Sequence, residues 1–207
     1  MENIIDLHRR SVTGLRPVLD RVTPADLGRP TPCAGWDLRA LLEHMAGQDR
    51  GFAAAVRAAR AGDDVDVSAF APHPLGPSPA ATIADGLDDV VAAFAAGADG
   101  LVLMPEFDRR LPLPVLVQMH LIDTLVHGWD VAATLGVQAD YGSRLDADVV
   151  AAALAMSEQI PDDEYRETPG ATFAHALPAP QDAGPWTRVL TLLGRDPAWT
   201  SDPLVRR

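Results

Sequence analysis

The sequence predicts an all-α protein, a bundle of helices with a short C-terminal extension. In several long segments the apolar residues recur at steps of three and four, which is the period of one buried helical face. Sustained alternation of apolar and polar residues, the pattern of a half-buried strand, is almost absent. Loops rich in proline and glycine separate the periodic segments, so we expect helices joined by exposed connections.

The first half of the chain contains two predicted helices. The first covers residues 2–22, and a loop dense in proline and glycine follows at 28–35. The second helix covers residues 37–61. Asp37 is suited to the N-cap of this helix, and Gly62 is a stop signal.

The middle of the chain continues the same organisation. Residues 62–80 contain four prolines and three aspartates, and we interpret them as an exposed connection. A third helix is predicted over 83–96. Residues 101–104 are a short apolar run that can form an extended segment, and 105–113 are predicted to be a loop. A proline at the first helical position then begins a long helix over 114–136.

The last third of the chain changes in texture. Residues 145–160 predict another amphipathic helix, and a final short helix is predicted over 186–193. The stretch between them is rich in proline and lacks a helical period. We therefore divide the chain into a helix bundle at 1–160 and an extension at 161–207 that packs on this bundle.

Composition and charge exclude several classes of protein. A net charge of -12 and a pI near 4.7 disfavour nucleic-acid binding, which needs clustered basic residues. No apolar run has the length of a membrane span, about 18 residues or more, and no secretory signal is visible, so we expect a soluble cytoplasmic protein. Cys33 is the single cysteine, which rules out an internal disulfide and a structural zinc site built on cysteines.

Polar residues on the long helix near residues 117–136 suggest a metal site. His120, Asp123 and His127 lie at positions i, i+3 and i+7, and residues three or four apart are neighbours on one helical face. A carboxylate and an imidazole four residues apart can bind one ion. One helix rarely completes a site, so a further ligand should come from elsewhere, and the candidate is His44, which borders the apolar stripe of the second predicted helix.

The other polar residues of the region allow two interpretations each. Three donors spanning seven residues of a straight helix can hardly converge on one ion, so we assign His120 to a hydrogen bond with Asp123 or to the pocket wall. Asp130 either accepts the second ring N–H of a histidine or is solvated. We interpret Cys33 as a small buried residue rather than a nucleophile. We expect Trp36 and Trp129 to be core anchors, and the loop pair Arg109 and Arg110 to be solvated. His8 and His175 receive no functional role.

Three sequence blocks together resemble a known family. They are T-P-C-A-G-W-D-L-R-A-L-L-E-H-M at 31–45, H-L-I-D-T-L-V-H-G-W-D-V-A-A-T-L-G at 120–136, and L-L-G-R-D-P-A-W at 192–199. They are similar to blocks of actinobacterial metal-binding proteins related to mycothiol-dependent maleylpyruvate isomerase, within the DinB-like superfamily. The resemblance implies a DinB-like four-helix bundle of the up-down type with a long crossover, holding a divalent metal.

The resemblance also implies roles for individual residues. His44 matches the histidine of the second helix, and Asp123 with His127 matches the acid-x-x-x-His pair of the family. The acid is glutamate in the isomerase, so Asp123 is a departure. Three protein ligands leave open positions, as in a catalytic metal site, and two imidazoles with one carboxylate favour Zn²⁺, although Ni²⁺, iron and manganese also accept this set.

The function implied by the resemblance is an isomerase or thiol S-transferase that uses mycothiol. A divalent metal lowers the pKa of a bound thiol, and the thiolate attacks an electrophilic carbon of a small substrate. The partners are then a low-molecular-weight thiol and a small molecule, without nucleic acid or membrane. Two alternatives stay open, a non-catalytic metal-binding or regulatory module and a hydrolase that uses activated water. The oligomeric state also stays open, a homodimer included.

Overall fold

The structure is a computed structural model that describes residues 3–168 and 171–201. These residues contain seven α-helices and one β-hairpin, and short 3₁₀ turns join some of them. The helices are α1 (Ile4–Leu19), α2 (Leu38–Ala61), α3 (Pro79–Ala96), α4 (Leu113–Leu135), α5 (Gln138–Arg144), α6 (Ala147–Ser157) and α7 (Pro185–Leu192). The strands β1 (Leu101–Met104) and β2 (Arg109–Pro112) are antiparallel.

The prediction of a mainly helical protein is confirmed, but the hairpin corrects the expectation of an all-α chain. Val102 and Met104 of β1 are fully buried, so the strand packs its alternate residues against the helices. Asp108 between the strands adopts a left-handed conformation (φ 48°), which reverses the chain. A four-residue strand is too short to show the alternation that identifies strands in a sequence.

Helix ends agree with the local sequence signals. The Asp37 carboxylate accepts the amide N–H of Ala40 and begins α2, and Gly62 ends it in the left-handed conformation. Gly136 ends α4 in the same way. The helix α5 was not predicted, because seven residues with an interior glycine give no clear period.

The core lies between α1, α2, α3 and α4, which pack in the pairs α1–α4, α2–α3, α2–α4 and α1–α3. Trp129 of α4 is almost completely buried in this core, as expected. Tyr141 of α5 also packs there, and its hydroxyl donates a hydrogen bond to the carbonyl of Leu125. The long helix α4 therefore contacts most of the other helices. These contacts fix the position of its polar residues in the protein interior. None of the described helices has the length and apolar character required to cross a bilayer.

Several described residues after 160 contact the helices. Val189 and Leu193 belong to an apolar cluster with residues of α1, α4 and α6. Arg166 is buried and donates hydrogen bonds to several backbone carbonyls of this segment, including those of Ala174 (2.7 Å) and Leu192 (2.8 Å). A single guanidinium thus ties the irregular segment to the end of α7.

Candidate metal centre

The fold brings His44, Asp123 and His127 together. Each residue offers one ligand atom, and these atoms lie within 4.8 Å of one another. His44 comes from the second turn of α2, and the other two residues come from the middle of α4. The packing of α2 against α4 thus brings the candidate ligand of the second helix to the pair on α4.

The distances within this group fit one divalent ion. His127 Nε2 lies 3.4 Å from Asp123 Oδ1, and the ring centres of His44 and His127 are 5.2 Å apart with planes at 80°. Two imidazoles bound to one tetrahedral ion at about 2.1 Å place their ring centres roughly 5 Å apart. Asp123 is therefore long enough to reach the same ion as His127, although its side chain is one methylene shorter than glutamate.

Asp130 holds the other side of the His127 ring. Asp130 is fully buried, and its Oδ2 lies 2.9 Å from His127 Nδ1. A carboxylate only accepts, so His127 Nδ1 is the donor in this bond and Nε2 is directed towards Asp123 and His44. The structure thus agrees with the first interpretation of Asp130, a hydrogen bond from a histidine, and not with a solvated carboxylate.

The electrostatics of the two histidines differ. Burial alone would lower the pKa of His127, but the carboxylates of Asp123 and Asp130 outweigh it and raise this pKa to about 10. Without a metal, His127 therefore carries a proton between the two carboxylates at neutral pH. Burial lowers the pKa of His44 more than the nearby Asp123 raises it, so its ring is neutral and keeps a lone pair for a ligand bond.

Arg195 extends this network to the C-terminal segment. Its Nη2 lies 3.1 Å from Asp130 Oδ2 and 3.6 Å from Cys33 Sγ, and the residue is buried. Burial would raise the pKa of Asp130, but the Arg195 guanidinium and His127 hold it down, at about 2. Asp130 is thus a permanent carboxylate behind His127.

Cys33 lies beside the same carboxylate, but it is half-buried, so the expectation of a fully buried residue is wrong. Its Sγ is 3.1 Å from Asp130 Oδ2 and 3.9 Å from His127 Nδ1. Cys33, His127 and Asp130 form a second group of possible ligands within 4.8 Å, on the opposite side of the His127 ring from the first group. The positive charge of Arg195 disfavours a metal ion in this second group.

His120 has different partners from those considered in the sequence. It is fully buried, and its Nε2 lies 3.0 Å from Asp49 Oδ1 while its Nδ1 lies 2.8 Å from His8 Nε2. The hydroxyl of Thr124 also reaches Nδ1, at 3.1 Å. His120 therefore belongs to a polar chain that links α1, α4 and α2, and His8, which received no role from the sequence, is part of it.

An open cavity of about 570 Å³ lies beside Cys33, and its lining does not include His44, Asp123 or His127. The loop at 28–37 and Trp199 line it, and its wall includes Cys33 and Trp36. Trp36 is 37% exposed with its ring 4.9 Å from that of His44, so the prediction that it is a core anchor is wrong. Its place in the loop before α2 keeps it at the surface of the site.

The functional neighbours missed in the sequence come from distant segments. Arg195 belongs to the G-R-D-P sequence at 194–197, and nothing local to it indicates a contact with α4. Cys33 likewise precedes α2 by several residues. Both contacts depend on tertiary packing, which residue spacing within one helix does not reveal.

The fold and the ligand group together define a class, mainly helical proteins with a candidate metal site built from two histidines and one carboxylate. The family described as mycothiol maleylpyruvate isomerase N-terminal domain matches residues 8–132. The chain belongs to this family, within the DinB-like superfamily, as the resemblance of its three blocks predicted.

The chain is also similar to individual proteins and to solved structures, the latter in fold. Uncharacterized proteins from two strains of Mycobacterium tuberculosis are each 29% identical over 196 residues, covering 91% of this chain and 95% of the relative. The crystal structure of a histidine-to-alanine mutant of mycothiol-dependent maleylpyruvate isomerase has a similar fold, with a TM-score of 0.59 at 15% identity over 79% of this chain and 70% of that chain. A further crystal structure of that enzyme gives a TM-score of 0.52 at 16% identity over the same shares.

Proposed function

We propose that this protein is a divalent-metal-dependent enzyme that transfers or isomerises through a low-molecular-weight thiol, with mycothiol as the thiol. The observation that carries the proposal is the convergence of His44, Asp123 and His127 from two helices on one point. Membership of the isomerase family supports the thiol. In this proposal α1 to α4 form the four-helix bundle that holds the metal.

The residues of the chain have separate tasks in this proposal. His44 and His127 offer imidazole nitrogens, and Asp123 offers a carboxylate oxygen, so Zn²⁺ is the favoured ion. When bound there, a divalent cation lowers the pKa of a thiol that reaches it. Asp130 keeps His127 in the tautomer that presents Nε2 to the ligand group.

The substrate side of the site is open where the ligands are exposed. The Asp123 side chain is 23% exposed and that of His127 is 12% exposed, so an incoming thiol has access from solvent. In an isomerisation the thiolate adds to one carbon of a double bond, rotation follows, and the thiolate leaves again. In a transfer the adduct takes up a proton from solvent, equal to the one lost when the thiol ionised, and is the product; neither route requires a general base from the chain.

Metal analysis of purified protein tests the ligand group. We expect about one divalent ion per chain in the wild type, and loss of it in His44→Ala and in His127→Ala, because two remaining ligands bind weakly. His175→Ala is the matched control, since His175 is exposed and bonds Asp162 instead. Metal retained in both ligand variants would overturn the site and the function together.

Thiol titration of the Co²⁺-loaded protein tests the chemistry. We expect the visible Co²⁺ spectrum to change on addition of mycothiol, because the thiol enters an open position of the metal. A spectrum that no low-molecular-weight thiol perturbs would contradict thiol transfer. A metal-activated hydrolase, or a metal-binding module without turnover, would then describe the site instead.

A further inference from the structure

His127 stands between two groups of possible ligands. Its Nε2 faces Asp123 at 3.4 Å in the group with His44, and its Nδ1 lies 2.9 Å from Asp130 in the group with Cys33. One imidazole can serve either group, and the sequence of α4 alone does not decide between them. Asp130 of α4 accepts the Nδ1–H, so a residue outside α4 that contacts Asp130 and Cys33 affects whether the second group is available to a metal.

The Arg195 guanidinium already occupies the group on the Nδ1 side. Nη2 lies 3.1 Å from Asp130 Oδ2 and 3.6 Å from Cys33 Sγ, and Nε lies 3.5 Å from Asp130 Oδ1. The same guanidinium donates to the carbonyl of Leu193 at 2.9 Å. A second cation beside this fixed positive charge would be repelled, and the low polarity of the buried site strengthens that repulsion.

The backbone around Arg195 holds the guanidinium in this place. Gly194 has φ +74°, and a Cβ there would lie 2.7 Å from the carbonyl oxygen of Ala174, so this turn is specific to glycine. The amide of Arg195 donates to the carbonyl of Leu190 at 2.8 Å. The ring of Phe173 lies 5.9 Å from the guanidinium carbon and covers it. These contacts fix the position of the Arg195 side chain.

We propose that Arg195 is a positioning residue that fills the Cys33–His127–Asp130 group in place of a metal and thereby directs the metal to the His44–Asp123–His127 group. Arg195 Nη2 donates to Asp130 Oδ2 at 3.1 Å and holds this carboxylate in place, and Asp130 accepts the Nδ1–H of His127, which leaves Nε2 for the metal. The inference rests on the proposed metal site and adds the C-terminal segment to it, beyond residues 8–132 that the family covers.

The test compares Co²⁺ and Zn²⁺ affinity in Arg195→Ala and Arg166→Ala. Arg166 is the matched control, because it is a buried arginine of the same segment that bonds backbone carbonyls and not the site. Loss of partners of metal-binding histidines typically weakens metal binding 10- to 100-fold, so we expect a loss of about 10-fold or more in Arg195→Ala and little change in the control. Arg195→Lys, which keeps the charge, should recover part of the loss.

The Co²⁺ spectrum separates positioning from general destabilisation. We expect the visible bands to differ between Arg195→Ala and the wild type and to coincide between Arg166→Ala and the wild type. A thiolate-to-cobalt band that appears in Arg195→Ala and disappears when Cys33→Ser is added would show that the cation has moved to the group that Arg195 fills.

Failure of the proposed function and failure of the role of Arg195 give different results. If the wild type binds no metal, the proposed function itself fails. If the wild type binds metal and Arg195→Ala matches Arg166→Ala in both affinity and spectrum, the proposed function stands and the role of Arg195 is overturned. Asp130→Asn provides a second variant for the same link, because it removes the charge that Arg195 holds while keeping the shape of the side chain.

Discussion

At the scale of single residues, the histidines show how neighbours decide charge. Burial and then the nearby His120 lower the pKa of His8 to about 2, whereas the carboxylates around His127 raise its pKa despite burial. One ring is therefore neutral and the other carries a proton at neutral pH without a metal. The difference follows from which polar atoms each ring meets, since both rings lie in the protein interior.

His8 makes the protein sensitive to acid. The pKa of His8 is lowered to about 2 in the folded protein from an ordinary 6.5, so the unfolded chain takes up a proton that the fold excludes. This contribution to stability is complete above pH 6.5 and is lost as the pH falls below it, at up to about 1.4 kcal/mol per pH unit. We expect urea unfolding at pH 7 and pH 5 to show a smaller loss of free energy in His8→Gln than in the wild type.

One competing titration and one control variant bear on this measurement. Burial raises the pKa of Asp49, against its hydrogen bond with His120, so protonation of Asp49 works in the opposite direction and offsets part of the loss. His175→Gln changes an exposed histidine outside the polar chain and should leave the loss in place. An equal loss in wild type and His8→Gln would contradict the buried, neutral state of His8.

The sequence predicted that His44, Asp123 and His127 lie together, as they do, whereas their role as metal ligands stays a prediction and their neighbours were predicted poorly. Spacing along α4 places Asp123 and His127 on one face, and this face is a property of the helix itself. His120 lies on the same helix, yet it bonds His8 and Asp49 from two other helices. Helical spacing limits which residues can meet within one helix, but contacts between helices depend on how their faces pack.

At the scale of elements, α4 is a helix whose small residues permit close packing. A Cβ at Gly128 would lie 2.6 Å from the hydroxyl oxygen of Tyr141 and 2.9 Å from Leu15 Cδ1. Gly128 therefore lets α1 and α5 approach α4 beside His127. The position of α4 thus depends on the lack of a side chain at Gly128 as well as on the apolar residues around it.

The glycines of α1 and α4 provide a matched pair of substitutions. We expect Gly128→Ala to lower the free energy of unfolding by about 1–3 kcal/mol, because the new methyl group overpacks the core. Gly14→Ala is the control in the middle of α1, where nothing lies within 4 Å, and it should raise stability by about 0.5–1 kcal/mol through helix propensity. Chemical unfolding of both variants measures the difference, and equal effects would contradict the close approach at Gly128.

Elements whose signals are local were predicted more reliably than those that depend on context. Asp37 and Gly62 delimit α2 through hydrogen bonds and backbone conformations within a few residues. The hairpin at 101–112 depends instead on pairing between two short strands and on burial of Val102 and Met104 against the helices. A short apolar run predicts burial, but it does not predict the partner that makes it a strand.

At the scale of the whole molecule, the C-terminal segment links its own packing to the candidate metal centre. Arg166 donates to the carbonyls of Ala174 and of Leu192 at the end of α7, and Arg195 joins that same end to Asp130 behind His127. The division into 1–160 and 161–207 remains a prediction, and these contacts show the segment packed on the helices. Anything that orders the site and the segment together couples them energetically in both directions.

Metal binding should therefore stabilise the whole chain and protect the C-terminal segment. At a free metal concentration 100 times its dissociation constant, a ligand that binds the folded state alone adds about 2.7 kcal/mol to the free energy of unfolding. We expect this gain in the wild type and in Arg166→Ala, whose site is intact, and its loss in His127→Ala.

Hydrogen exchange locates the same effect along the chain. The amides of Leu193 and Arg195 bond carbonyls at the end of α7, so metal should slow their exchange because Arg195 is held through Asp130 and His127. In Arg195→Ala the metal should still protect amides of α2 and α4 near the ligands, but the protection at residues 190–195 should disappear. Protection of that segment by metal in Arg195→Ala would show that the coupling runs through the apolar packing of α7 instead of through the guanidinium.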